Sequence, residues 1–250
     1  MRNYIDKVRL YLPFSNEETT SFLMTVAAFA FMKSFNQWGT ESFNLNEGLI
    51  NYLIAAIIVG LSFFVHHAGQ RLAGLYYGVK AEQKIWWYGI IIALVITLVT
   101  RGSLGNFGFF AASSTTITIL AAHRLGKIRY GANISILGKT AIAGPVFNIF
   151  LASLTKTTSW IFPSLNQVFM QDLFVFNIWI AFINFLPIPP LDGSKAFFAS
   201  RSKYAFAFST IISYILLFTI FNVYSYILSL TIGIAVWFLW ILHIEKKWFE

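Results

Sequence analysis

Long apolar runs recur along this chain, each close to the length of a membrane-crossing helix. A spanning helix takes about 20 mainly apolar residues. The pattern predicts spans at about 20–37, 49–70, 85–100, 140–155, 172–188, 204–221 and 225–243. The stretch 105–122 (GNFGFFAASSTTITILAA) suits several elements, because its Ser/Thr cluster and β-branched run fit a re-entrant loop, a strand or a poor span. The total is six to eight spans, with no internal repeat, no low-complexity tract and no linker long enough to separate domains. The expected fold class is an all-α polytopic membrane bundle with a small strand or re-entrant element around 105–135. The first ten residues, MRNYIDKVRL, mix polar and apolar positions and do not read as a cleavable signal.

Composition explains why the runs are tolerated. Hydrophobic residues make up 57% of the 250 residues and charged residues 11%. The mean hydropathy is +0.67. A soluble domain carries about 25% charged residues, so this chain has too few to cover a water-facing surface. A lipid bilayer is therefore the expected partner. The net charge is +8, but the Lys and Arg are scattered through short loops. That distribution reads as topology and not as a nucleic-acid surface. The absence of cysteine excludes disulfides and thiolate metal sites.

Charge then orients the spans. Arg2, Lys7 and Arg9 precede the first run; Arg71, Lys80 and Lys84 follow the second. Arg124, Lys127, Arg129 and Lys139 fill 123–139; Lys195, Arg201 and Lys203 follow Asp192, and Lys246 and Lys247 close the chain. The loop 38–48 carries only Glu41 and Glu47, and 156–171 only one base, Lys156. Basic loops favour the cytoplasmic side, so both termini are expected there, provided that 85–122 goes out and back. His66 then lies five residues inside the cytoplasmic end of its span, roughly 7–8 Å deep. Asp192 comes to the same leaflet. Ionisable groups in a membrane are costly and point to function.

Three strings hold candidate chemistry. In Asn184-Phe-Leu-Pro187-Ile-Pro189-Pro190-Leu-Asp192-Gly193 the prolines must end a helix, and Gly193 permits a tight bend. This is either a rigid hook holding a carboxylate at membrane depth, or a turn that leaves the membrane with Asp192 solvated. In Val65-His66-His67-Ala68-Gly69-Gln70-Arg71, His66 and Gln70 share a helix face while His67 is turned about 100° away. Alone, this also reads as an interfacial His pair. In Ala143-Gly144-Pro145-Val-Phe-Asn148, Gly144 and Pro145 mark close packing or a kink, and Asn148 needs a partner.

Together these strings resemble the site-2 protease family of intramembrane zinc metalloproteases, over roughly residues 15–203. The hook matches the family pattern N-x-x-P-x-x-P-L-D-G in full, and the Ala-Gly-Pro-x-x-Asn element matches as well. LAGLYYGVKAE after the histidines, and Asn16-Glu17-Glu18 before the first span, are similar to archaeal-type members. The resemblance implies zinc held by two His of H-E-x-x-H and by the hook Asp, with the Glu as general base. Aligned on Tyr77-Gly78, the motif falls on His66-His67-Ala68-Gly69-Gln70. His66 and Asp192 are retained as metal ligands. His67 replaces the Glu base and Gln70 the second His.

A neutral amide is a poor zinc donor, and His67 is on the wrong face to replace Gln70. His123 and His243 read as interfacial. The expectation is one integral membrane domain over 1–250: a span at 20–37, a site-2 protease-like core at about 49–203, and C-terminal spans at 204–243. Its expected function is that of a degenerate member, a pseudoprotease that binds a transmembrane helix or membrane-proximal segment of another protein without cutting. Asn148, Asn184, Pro187, Pro189, Pro190, Gly193, Gly144 and Pro145 would shape the groove. The alternatives are a divergent active zinc protease, using His66, Asp192 and an unidentified third ligand with His67 in the place of the base, and a small transporter or channel. Broken helices suit the last, although no inverted repeat supports it.

Overall fold

The computed structural model describes residues 2–39, 42–102, 114–119, 134–221 and 225–245. Nine α-helices and one hairpin-like strand pair are defined among them: α1 (Arg2–Tyr11), α2 (Asn16–Ser34), α3 (Leu45–Tyr77), β1 (Val79–Lys84), α4 (Trp87–Val99), β2 (Ser114–Ile119), α5 (Ile134–Ile161), α6 (Gln167–Asn184), α7 (Asp192–Ala199), α8 (Arg201–Phe221) and α9 (Tyr226–Trp240). A π-helical turn, Ile241–Glu245, extends α9.

Among the described residues, five helices are long and apolar enough to cross a membrane: α3, α5, α6, α8 and α9 with its extension to Ile244. The protein is thus an integral membrane protein of the all-α class. The run expected at 20–37 starts earlier, as α2, and carries Glu17, Glu18 and Lys33. The run expected at 85–100 gives only the 13 residues of α4, about 20 Å of helix and short of the hydrocarbon thickness.

Local chemistry sets the boundaries. Ser15 caps α2 in a capping box: its hydroxyl accepts from the Glu18 N–H at 3.2 Å, and its own N–H donates to Glu18 Oε2 at 2.9 Å. Asn44 caps α3, which ends at Gly78 with a φ of 81°, a left-handed turn that favours glycine. The chain runs straight into β1, which pairs antiparallel with β2 from Val79↔Ile119 to Lys84↔Ser114. Part of the ambiguous 105–122 stretch is therefore a strand, and the chain between β1 and β2 leaves and returns to one place. The rest of 105–135, up to Ile134, lies outside the described residues, as does His123.

Helix α5 is central and packs against α3, α6 and α7, while α8 pairs with α9. The main apolar core joins Phe29 and Met32 of α2, Ile58 and Phe63 of α3, and Phe176 and Ile180 of α6. Smaller clusters tie α6 to α8 through Phe174 and Phe218, and α7 to α8 through Ala196 and Tyr204. The site lies where α3, α5, α6 and α7 meet.

Candidate functional site

Helical periodicity presents His66 and Gln70 on one face of α3, and both reach Asp192 at the first position of α7. His66 Nε2 lies 2.9 Å from Asp192 Oδ2, and Gln70 Nε2 donates to the same oxygen at 2.6 Å. Gln70 Nε2 is also 3.2 Å from His66 Nε2, so the three side chains close a triangle. Lys195, one turn along α7, donates to Asp192 Oδ1 at 3.0 Å. Asp192 is 5% exposed, so it is buried in the protein and not solvated. Burial pushes its carboxyl up, but Lys195 and the contact with His66 outweigh that and hold it below the usual carboxylate range.

The other imidazole nitrogen faces α5. His66 Nδ1 donates to Asn148 Oδ1 at 2.6 Å. Asn148 Nδ2 in turn donates to the Ser62 carbonyl at 3.1 Å and to Asn177 Oδ1 at 2.8 Å. Asn177 Nδ2 donates to the Ser62 hydroxyl at 2.9 Å. Lys195, Asn177 and Ser62 were not singled out in the sequence. For Asn177 the signal was there, a lone amide amid the apolar residues of α6.

The hook works by close approach. Pro187, Pro189 and Pro190 occupy the turn between α6 and α7, and Pro189–Pro190 is cis. Gly193 was expected to permit a bend. It instead lies in the first turn of α7, where a β-carbon would collide with the Phe185 and Leu186 carbonyl oxygens. Gly144 lets α5 pass directly over the His66 ring, and Pro145 is buried beside it inside the helix. Asn184 bonds back to the Ile180 carbonyl at 3.1 Å, within its own helix.

His67 is buried on another face of α3. It stacks on Phe63 and meets the His66 ring edge-on. Next along α3, the wholly buried Arg71 donates to Glu18 Oε2 at 3.0 Å and to the Tyr11 and Pro13 carbonyls. This ion pair fastens α2 to α3. Burial pushes the Glu18 carboxyl up, but the Ser15 N–H and Arg71 bring it below its ordinary value. His243 lies in the terminal π-helical turn, exposed and bonded to the Leu239 carbonyl.

The residues present do not fit zinc. A catalytic zinc takes three protein ligands, each at about 2.0–2.3 Å. Here one imidazole and one carboxylate meet a neutral amide, a poor zinc donor beside imidazole or carboxylate. The Lys195 ammonium already neutralises the carboxylate. Among the described residues, no three His, Asp or Glu side chains are grouped so as to hold a metal ion. The larger cavities lie elsewhere, in apolar grooves between α6 and α8 and among α5, α8 and α9.

The chain is similar to the "Putative zinc metalloprotease" of Methanocaldococcus jannaschii, with 28% identity over 184 residues that take in 73% of this chain and 84% of that protein. No family model matches the chain, and no solved structure matches it significantly.

Proposed function

We propose that this site-2 protease-like membrane protein is a pseudoprotease, which accepts a transmembrane or membrane-proximal segment of another protein and does not cut it. The observation that carries the reading is the buried Asp192 carboxylate, which accepts from Gln70 on Oδ2 and from Lys195 on Oδ1, with His66 Nε2 2.9 Å from Oδ2. Where the resemblance implies a metal, this chain's own side chains satisfy one another. The base position supports the same reading. His67 belongs to a different face, and a misplaced base forfeits about 10²–10⁴ in rate. The binding half of the proposal rests on the resemblance, with Asn148, Gly144, Pro145 and the hook from Asn184 to Gly193 as the retained framework.

In this reading the chain is one integral membrane domain, with its core at about 49–203 and both termini cytoplasmic. Basic residues cluster at one set of loop ends, which supports that orientation. The test is metal analysis of the purified native protein beside His66→Ala. Zinc far below one per chain in both is the expected result. Stoichiometric zinc that disappears in His66→Ala would overturn the proposal in favour of a divergent active protease.

A further inference from the structure

Beside the His66–Asp192 triangle, α3 borders a second polar chamber. β1 alternates inward and outward positions, and Val79, Ala81 and Gln83 are its buried ones. An amide is therefore turned into the protein. Gln83 is 3% exposed, and neither Oε1 nor Nε2 has a hydrogen-bond partner in the protein. Glu18 is 4% exposed; its Oε2 is held by Ser15 and Arg71, while Oε1 has no partner. Glu18 and Gln83 line one small chamber together with Phe14, His67, Gln70, Arg71, Ala81 and Glu82. Its volume is about 10 Å³, close to the least that holds one water molecule.

We propose that a single water molecule is bound there as a fixed part of the fold, joined to Glu18 Oε1 and to the Gln83 amide. Native proteins satisfy almost all buried polar atoms, and here three unpartnered ones belong to two residues that line one water-sized space. Charge selects a neutral occupant. The Glu18 carboxylate is paired with Arg71 and the Glu82 carboxylate with Lys80, so the lining charges are matched and neither a cation nor an anion gains by entering. The chamber needs a group that both donates and accepts, and its size admits nothing larger than water. The bound water links α2 to β1 across α3. The site stands whether or not the pseudoprotease reading holds.

Gln83→Met tests it, because the side chain keeps its length and loses both polar atoms. If the chamber holds water, the substitution strips that water of a partner, and the thermal midpoint in detergent falls by about 2–4 °C. If the chamber is dry, the same change removes two unpartnered polar atoms and the midpoint rises. A rise, or no change, overturns the proposal. Should the variant fail to fold, the native protein decides. Nuclear Overhauser transfer between the Gln83 amide protons and a long-lived water is expected, and its absence overturns the site.

Discussion

His66 Nδ1 and Asn148 Oδ1 lie 2.6 Å apart, deep between α3 and α5. Asn148 therefore fixes the angle of the imidazole and directs its other nitrogen at Asp192. The orienting bond stands beside a set of side chains that does not suit zinc.

Restoring two side chains should restore metal binding. In the double variant His67→Glu, Gln70→His, a second imidazole replaces the amide that now touches both His66 and Asp192. The expected outcome is about one zinc per chain by elemental analysis, against little in the native protein. A double variant that folds and stays zinc-free would mean that the motif register is misassigned.

Asn148→Leu should destabilise the fold. It leaves the His66 Nδ1–H and Asn177 Oδ1 without their bonds to Asn148, both in the interior. A cost of about 1–3 kcal/mol follows from a buried polar group losing its partner. Thermal unfolding in detergent, monitored by circular dichroism, measures it. Asn148→Asp would keep the acceptor and should lose less.

Breaking the Glu18–Arg71 pair from one side should be worse than removing it whole. Arg71→Met strands a buried carboxylate and costs about 3–5 kcal/mol. Glu18→Leu combined with Arg71→Met should recover a substantial part of that. A double-variant cycle in denaturant or heat reads the coupling, and strict additivity would count against the pair.

Gly193→Ala should be harmful because its β-carbon meets backbone carbonyl oxygens, which cannot swing aside. Gly144→Ala drives a methyl into the His66 ring, a side chain that can rotate but only by leaving Asp192. Overpacking of this kind costs about 1–3 kcal/mol. Of the two variants, Gly144→Ala should also lower zinc uptake when combined with the double substitution above.

Single cysteines can test the orientation cleanly, because the chain has none of its own. Ile5→Cys on the exposed side of α1 and Ser164→Cys between α5 and α6 should label from opposite sides with a membrane-impermeant maleimide. Labelling of Ile5→Cys from the outside of intact cells would reverse the topology.

The sequence made the helices and the hook readable because both depend on local rules: apolar run length, prolines that end a helix, and a spacing of four residues that joins His66 to Gln70. What escaped depends on distant partners. Asn177 satisfies Asn148 from 29 residues away, and Arg71 meets Glu18 across 53. No periodicity in either segment announces the other. The pairing of 79–84 with 114–119 was hidden for the same reason, since β2 has only the ladder to show its place. Gly193 misled in a different way. Its small size pointed to a bend, whereas the structure uses it to let α7 press on the Phe185 carbonyl.

The Glu18–Arg71 pair also bears on how the molecule is built at the ribosome. Both partners have emerged by residue 71, so the opening helical hairpin can neutralise its own charges before the remainder exists. His66 must wait for a carboxylate 126 residues further on. The Glu18–Arg71 pair thus needs only the first 71 residues, whereas the polar face at His66 is complete only with α5 and α7.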